Sequence, residues 1–312
     1  VSEHTGFHHV PVLFEETLTA LALTPQGIYL DGTVGGAGHS EGILKALHGD
    51  CALYALDRDQ NALRAAAERL PAYHQVNLIH GNFHDAKELL PGIQFDGILL
   101  DLGVSSHQLD TAGRGFSYHE DAPLDMRMDQ SQGLTAADWL NTTSELDITQ
   151  ALYDFADERW AARIAKIILE MRAEKPFETT LDLVRAVDRA IPKAVRRKDE
   201  GHPARRAFQA VRIAVNEEIN PLNAALADLV EMLKPGGRLC VITFHSIEDR
   251  VVKQAFNRMK NPCVCPVDAP ICTCGKLPIV SLPKGFPVAP SDDEINDNPR
   301  ARSAKLRCAQ KL

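Results

Sequence analysis

The chain is 312 residues long, 45% hydrophobic and 24% charged, with a formal net charge of −8; that length suggests about two domains, with enough apolar residues for real cores. No apolar run approaches the ~18 residues of a membrane span, and no charged-then-apolar leader opens the sequence, so a soluble globular protein of the cytoplasm is expected. Seven cysteines, an odd number without an export signal, argue against a disulfide framework.

In chain order, the first informative element is the apolar run from Gly27 to Asp31. It opens into Gly32-Thr-Val-Gly35-Gly36-Ala37-Gly38-His39 and then a helical stretch, Ser40 to Leu47. Glycines at a strand-to-helix corner permit positive φ and let a ligand lie against the backbone. The spacing is neither that of dinucleotide enzymes nor that of a P-loop, which ends in Gly-Lys-Ser/Thr. Asp31, just before the glycines, would repel a pyrophosphate but suits a ligand carrying an ammonium and a sulfonium, as S-adenosylmethionine does.

The next apolar run, Ala52 to Leu56, ends in Asp57, about where an acid meets ribose hydroxyls, roughly 20 residues past the glycines. A third run, Val76 to His80, leads to Phe83, an aromatic face for an adenine ring. The fourth, Phe95 to Leu100, ends in Asp101. Any one of these acids alone reads as a helix cap or turn former. Four successive strand ends carrying ligand-type groups point instead to the carboxyl rim of an open parallel α/β sheet.

From Ser105 to about Arg212 no strand is expected, only amphipathic helices. One carries Trp160, Ile164, Ile167, Ile168 and Met171 on its apolar face and Arg159, Arg163 and Lys166 on another. A second begins near Pro203, with Phe208, Val211, Val215 and Ile219 inward and Arg205, Gln209, Arg212 and Asn216 on its polar stripe. Pro221 opens a further helix to Leu233, a proline being well tolerated there. The sheet resumes after a Lys234-Pro-Gly-Gly237 turn with Arg238 to Phe244, followed by a helix, Glu248 to Lys260, and a last strand near Leu277 to Leu282.

The negative net charge argues against a nucleic-acid partner until its distribution is read. Arg159 to Val215 holds 14 Lys or Arg against 7 Asp or Glu, and Arg300 to Leu312 adds Arg300, Arg302, Lys305, Arg307 and Lys311 with no acid. Two basic islands on an acidic body fit RNA contact as well as they fit solvated helix faces.

Several motifs carry a resemblance: Asp31-Gly-Thr-Val-Gly-Gly-Ala-Gly-His39, Asp96-Gly-Ile-Leu-Leu-Asp-Leu-Gly-Val-Ser-Ser106, Gly115-Phe-Ser-Tyr118, Pro123-Leu-Asp-Met-Arg-Met-Asp129, Phe208-Gln-Ala-Val-Arg-Ile213, Phe244-His-Ser-Ile-Glu-Asp-Arg250 and Asn298-Pro-Arg-Ala-Arg-Ser303. In this order, over nearly the whole chain, they resemble the MraW/RsmH family. The resemblance implies a Rossmann-like class I methyltransferase sheet with an inserted all-helical domain. It also implies an S-adenosylmethionine-dependent enzyme that methylates N4 of one cytidine in bacterial small-subunit ribosomal RNA, at the decoding centre. The domains expected are 1–108 with 213–312 for the cofactor, and 109–212 as a helical insertion for RNA recognition, with Arg196, Arg197, Lys198, Arg205 and Arg206 gripping the RNA backbone. The partner is small-subunit RNA or the assembled subunit; a homodimer is allowed by the sequence but not required.

The resemblance places the cofactor against Ala37, Gly38 and His39, with Asp57, Phe83, Asp101 and Gln108 completing the site; Asp31 and Gly35 join it from the loop reading. For the chemistry, Asp101 is the expected acceptor of the amine hydrogen, and His245 and Ser246 are candidates to orient the base or take its proton. Arg127 either clamps a phosphate or pairs with Asp125 or Asp129, and Phe116, Tyr118 and Phe244 are the aromatic candidates for holding an unstacked base. Cys263, Cys265, Cys272 and Cys274 lie in a segment many relatives lack. Four thiols could bind zinc, but Cys-x-Cys pairs match the usual Cys-x₂-Cys spacing poorly, so reduced thiols and no metal are expected.

Overall fold

The computed structural model describes residues 11–196, 201–266 and 271–312. The chain forms two compact units, Val1–Gly103 with Pro221–Leu312, and Val104–Asn220. The expected borders at 108/109 and 212/213 thus fall elsewhere. Val104, Leu109 and Val215 pack on the core of the helical unit, and this draws its borders outward at both ends.

In the first unit, helix α1 (Phe14–Leu21) precedes β1 (Gly27–Asp31), α2 (Gly38–Ala46), β2 (Cys51–Asp57), α3 (Gln60–Arg69), β3 (Val76–His80), α4 (Ala86–Leu89) and β4 (Phe95–Asp101). The second unit is helical: α5 (Ser106–Asp110), α6 (Ala136–Thr142), α7 (Glu145–Ala156), α8 (Ala161–Glu174), α9 (Thr180–Ala190), α10 (Lys193–Arg196) and α11 (Arg205–Asn216). The first unit resumes with α12 (Leu222–Glu231), β5 (Leu233–Thr243), α13 (Ser246–Lys260), β6 (Val280–Ser281), α14 (Asp292–Asp297) and β7 (Lys305–Lys311).

The sheet order is β3-β2-β1-β4-β5-β7-β6. The first five strands are parallel, while β7 runs antiparallel to β5 and β6 antiparallel to β7. Strand order reverses between β1 and β4, and in open α/β sheets the ligand crevice lies at such a point, beyond the carboxyl ends of the strands. Both faces of the sheet are covered, and its central strands carry apolar side chains toward both. Tyr29, Leu99, Cys240 and Ile242 enter one core, while Leu30, Ile98, Leu100 and Val241 enter the other, the alternation a pleated strand requires.

Two features of this unit differ from the sequence expectation. The Lys234-Pro-Gly-Gly237 turn lies inside β5 as a register shift, with Phe95 opposite Leu233 and Gly97 opposite Arg238. A Cβ on Gly237 would come within 2.9 Å of the Lys234 and Phe95 carbonyls. Three of the five cations of the C-terminal basic island, Lys305, Arg307 and Lys311, lie on the strand β7 and are engaged within the fold. Arg307 grips Asp249 at 2.7 and 3.1 Å, while Lys311 Nζ donates to the Glu231 and Leu233 carbonyls.

Among the described residues the helical unit has no strand; its core holds Leu140, Ile148, Leu152, Ile164, Ile168, Leu183, Val187, Phe208 and Val211. Helix starts are fixed by side-chain caps at Thr135 and Ser144, which satisfy otherwise unpaired amides. Asn216, expected on an outer polar stripe, is 4% exposed. Its amide donates to the Met126 carbonyl at 2.7 Å and its oxygen accepts from the Met128 amide at 2.8 Å, pinning the 126–128 loop. No helix among the described residues is long and apolar enough to cross a membrane.

Candidate active site

Three neighbouring strands, β2, β1 and β4, end in Asp57, Asp31 and Asp101. The sequence brings them together because each closes an apolar run and the parallel register aligns the runs at their carboxyl ends. Their surroundings differ. Asp31 is buried; Oδ2 accepts from Ser40 Oγ at 2.7 Å and Oδ1 from the Thr33 amide at 3.2 Å. Asp57 Oδ2 accepts from the Gly35 amide at 2.9 Å and Oδ1 from the Asp59 amide at 2.8 Å, so it also fastens the glycine loop. At Asp101 the backbone amide donates to Thr33 Oγ1 at 2.6 Å, but its buried carboxyl Oδ1 has no hydrogen-bond partner. The side chain is 28% exposed, its Oδ2 lying 3.8 Å from His39 Nδ1.

No Lys or Arg is ion-paired to these three acids among the described residues, and burial disfavours their charged forms. Burial raises Asp57 to about 6, against the backbone hydrogen bonds that favour its charge. It also raises Asp31 to about 6, with the Asp57 charge adding a smaller push. Asp101 is raised to about 8, by burial first and then by the charges of Asp31 and Glu248. His39 supplies no positive charge, since burial lowers it to about 4. Its Nε2 lies 3.2 Å from the Val12 carbonyl, which can only accept, so the proton sits on Nε2 and Nδ1 turns a lone pair toward Asp101. A buried oxygen without a donor costs stability until one arrives, and the three-acid rim is suited to a cation with N–H and O–H donors. S-adenosylmethionine has that donor set, and the residues present fit it.

The glycine loop fits as well. Gly35 has φ +48°, and a Cβ on Gly36 would meet nothing within 4 Å, so the loop backbone is open to a ligand. Gly38 begins α2 beneath Pro11, whose Cγ a Cβ there would meet at 2.3 Å. Ala37 holds the left-handed conformation (φ 59°) that caps α2. Phe83 stands after β3, half-buried, its ring edge-on to His84 at 4.3 Å.

Beyond β5, hydrogen bonding gives His245 an occupation the sequence did not reveal. His245 caps α13: its Nδ1 accepts from the Glu248 amide at 3.3 Å, and Nε2 meets Glu248 Oε1 at 3.0 Å. The Glu248 carboxylate returns to the Phe244 amide at 2.9 Å. Both ring nitrogens thus hold the turn, which weighs against the expected part in proton transfer, while Ser246 is exposed at the first helical position. Sequence reasoning missed Ser40, Thr33 and Glu248, which hold the acids and the turn. Only Glu248 had a signal, a capping box with His where Ser or Thr is usual.

Gln108 lies in the helical unit, not in the sheet unit. It is buried and closes a capping box with Ser105, its Oε1 accepting from the Ser105 amide at 3.0 Å. In the same unit Arg127 forks onto Asp125 at 2.9 and 3.0 Å, the pairing alternative of its two expected roles. Phe116 is buried in the core, and Phe244, in the sheet unit, is half-buried against its core. Tyr118 is partly exposed and stacks on His202 with centroids 4.6 Å apart. Arg205 and Arg206 are exposed on the first turn of α11, whereas Arg197 and Lys198 lie outside the described residues.

The sequence model of the MraW methylase family matches residues 6–312. The chain is 50% identical over 311 residues to the ribosomal RNA small subunit methyltransferase H of Symbiobacterium thermophilum, covering 98% of each chain. It is 50% identical over 312 residues to the protein of that name from Acetivibrio thermocellus, covering 98% of this chain and 99% of the other. Over 315 residues it is 50% identical to the one from Geotalea uraniireducens, covering 99% of this chain and all of the relative.

Proposed function

Because the chain belongs to the MraW methylase family, we propose that it transfers a methyl group from S-adenosylmethionine to the N4 amine of one cytidine in small-subunit ribosomal RNA, near the decoding centre. It is a methyltransferase of small-subunit ribosomal RNA with S-adenosylmethionine as cofactor. The observation that carries the site assignment is the rim of Asp31, Asp57 and Asp101 on adjacent strand ends, with one Asp101 oxygen buried and unpartnered.

When bound, S-adenosylmethionine supplies an electrophilic methyl on a sulfonium sulfur. Asp57, at the end of β2, is assigned to the ribose hydroxyls, and Asp31 with the open backbone at Gly35 and Gly36 to the cationic end of the ligand. Phe83 offers the adenine a face. Asp101 is assigned to the amine. The N4 lone pair is delocalised into the ring, and an acceptor for its N–H draws that pair out of conjugation as the carbon–nitrogen bond forms. The proton lost from N4 goes to the acceptor: a carboxyl raised to about 8 in the free site is charged once the cofactor's cation is bound and can take it. His245 positions Ser246 and the α13 start beside this strand end.

The helical unit is assigned to the RNA. Exposed Arg205 and Arg206 give it phosphate contacts, and the Tyr118–His202 stack gives it a planar surface for a base. Such binding is salt-sensitive. The reading is tested by incubating the protein with labelled S-adenosylmethionine and small ribosomal subunits lacking the modification, then analysing the nucleosides. Label in N4-methylcytidine, lost with Asp101→Ala, supports it; label in any other nucleoside, or none despite measurable cofactor binding, contradicts it.

A further inference from the structure

The described residues of the segment joining α13 to β6 have no core packing that explains their arrangement. None of its described residues from 261 to 279 belongs to any of the three hydrophobic cores. Its apolar side chains face solvent instead: Val264 is 67% exposed, Ile271 75% and Leu277 78%. The ends of the loop are tied by the Ile279 amide, which donates to the Met259 carbonyl at 3.0 Å. Between those ends, conformational entropy opposes any single arrangement, and burial does not offset it.

What converges there is sulfur. The Sγ atoms of Cys263, Cys265, Cys272 and Cys274 all lie within 4.8 Å of one another. Four of the separations are 3.6 Å (Cys263 to Cys272), 3.6 Å (Cys272 to Cys274), 3.8 Å (Cys265 to Cys272) and 3.8 Å (Cys263 to Cys274). A disulfide needs about 2.05 Å, so no pair is bonded. A regular tetrahedron of thiolates around zinc, with Zn–S about 2.3 Å, has edges of about 3.8 Å. The observed spacings match that figure. The Thr273 amide points at Cys265 Sγ from 3.4 Å, the kind of N–H that steadies a metal-bound thiolate.

We propose that Cys263, Cys265, Cys272 and Cys274 form a structural tetrathiolate site for one zinc ion, which folds the α13–β6 connection. With all four positions filled by protein, no open coordination site remains for chemistry, so the ion's part is structural. The Cys-x-Cys spacing that counts against metal in the sequence places two ligands on each of two short stretches, and chain folding brings the stretches face to face. The proposal is independent of the methyl-transfer reading.

The test is metal analysis of the full chain, purified under reducing conditions without chelator, beside Cys265→Ser/Cys272→Ser. One zinc per chain is expected in the parent, with a drop of about tenfold or more in the variant. The cores do not include the loop, so the main thermal transition should survive in the variant. As a second measurement, cobalt(II) added to the metal-stripped, reduced parent should give the intense d–d and thiolate charge-transfer bands of a tetrahedral sulfur site. Iron in place of zinc, no stoichiometric metal with no cobalt bands, disulfides in the freshly reduced parent, or full zinc in the variant would each overturn the proposal.

Discussion

The carboxylates of the sheet rim and those of the helical unit are handled in opposite ways. In the helical unit, burial pushes Asp125 upward, but the Arg127 fork outweighs it and the group ends below its ordinary value. Asp182 behaves alike: burial is outweighed by the Thr179 and Glu178 amides and by Arg185. Arg212 grips Glu218 with two bonds of 2.9 Å. At the sheet rim, Asp31, Asp57 and Asp101 face one another without an ion-paired Lys or Arg among the described residues, and all three are raised. A fold able to neutralise its acids in one unit leaves three unneutralised in the other. Uncompensated charge of this kind is stored where a ligand completes it.

Breaking the comparison at its strongest point means Asp101→Ala, for which methyl transfer should fall by about 10²- to 10⁴-fold, the range for loss of an acid–base group, in a single-turnover assay on small subunits. Asp57→Ala should mainly weaken cofactor binding, by about 10- to 100-fold for a charged hydrogen-bonding partner, read by calorimetry. In the helical unit, Arg205→Glu/Arg206→Glu should leave cofactor affinity unchanged while lowering RNA affinity. It should also reduce the log–log salt slope by roughly 1.4 to 1.8, two phosphate contacts' worth.

Stability should respond with opposite signs in the two regions. A carboxyl raised in the folded state stabilises the fold when protonated, and that contribution is lost as pH climbs from about 4 through its folded pKa of about 8 at Asp101. Asp101→Asn should therefore make the cofactor-free protein more stable at pH 8, on the order of 1–3 kcal/mol, while abolishing transfer. Asp182 is lowered, so it contributes above about pH 4 and its contribution fades on acidification below that. With Arg185 60% exposed, Asp182→Asn should cost no more than about 1 kcal/mol. Thermal melts across pH 4–8 would show the Asp101 slope, and melts carried from pH 4 down to about 2 would show that of Asp182.

How much of this was legible depended on whether a residue's partner was near in sequence. Asp31, Asp57 and Asp101 could be read as a rim because an apolar run closed by an acid is a local pattern, repeated at the sheet's period. The β7 strand could not, because what neutralises Arg307 is Asp249, 58 residues away on α13, and on its own the segment reads as a basic tail. Asn216 looked outward by helical period, yet its partners are Met126 and Met128 across the unit. Gln108 shows the reverse. Its Ser105-x-x-Gln108 capping box is local, and it gives the side chain an occupation apart from any ligand. The four cysteines were visible as a cluster, but their convergence depends on the path of the chain between them, which spacing does not encode.

The most direct measurement is calorimetric binding of S-adenosylmethionine across pH 6–9, in buffers of different ionisation heat, to the parent and to Asp101→Asn. The ligand's own ammonium titrates equally in both, so the difference between the two proteins is what counts. Asp101, protonated below about 8 when the site is free, adjoins Asp31 on the next strand end, so a cation bound at Asp31 favours its charged form and releases its proton. The parent should therefore show proton release and an affinity gain with pH up to about 8, with the variant retaining only the weaker slope from Asp31 and Asp57 near pH 6. Identical pH profiles and buffer-independent heats in both proteins would contradict the claim that the rim is left uncompensated in order to bind a cation.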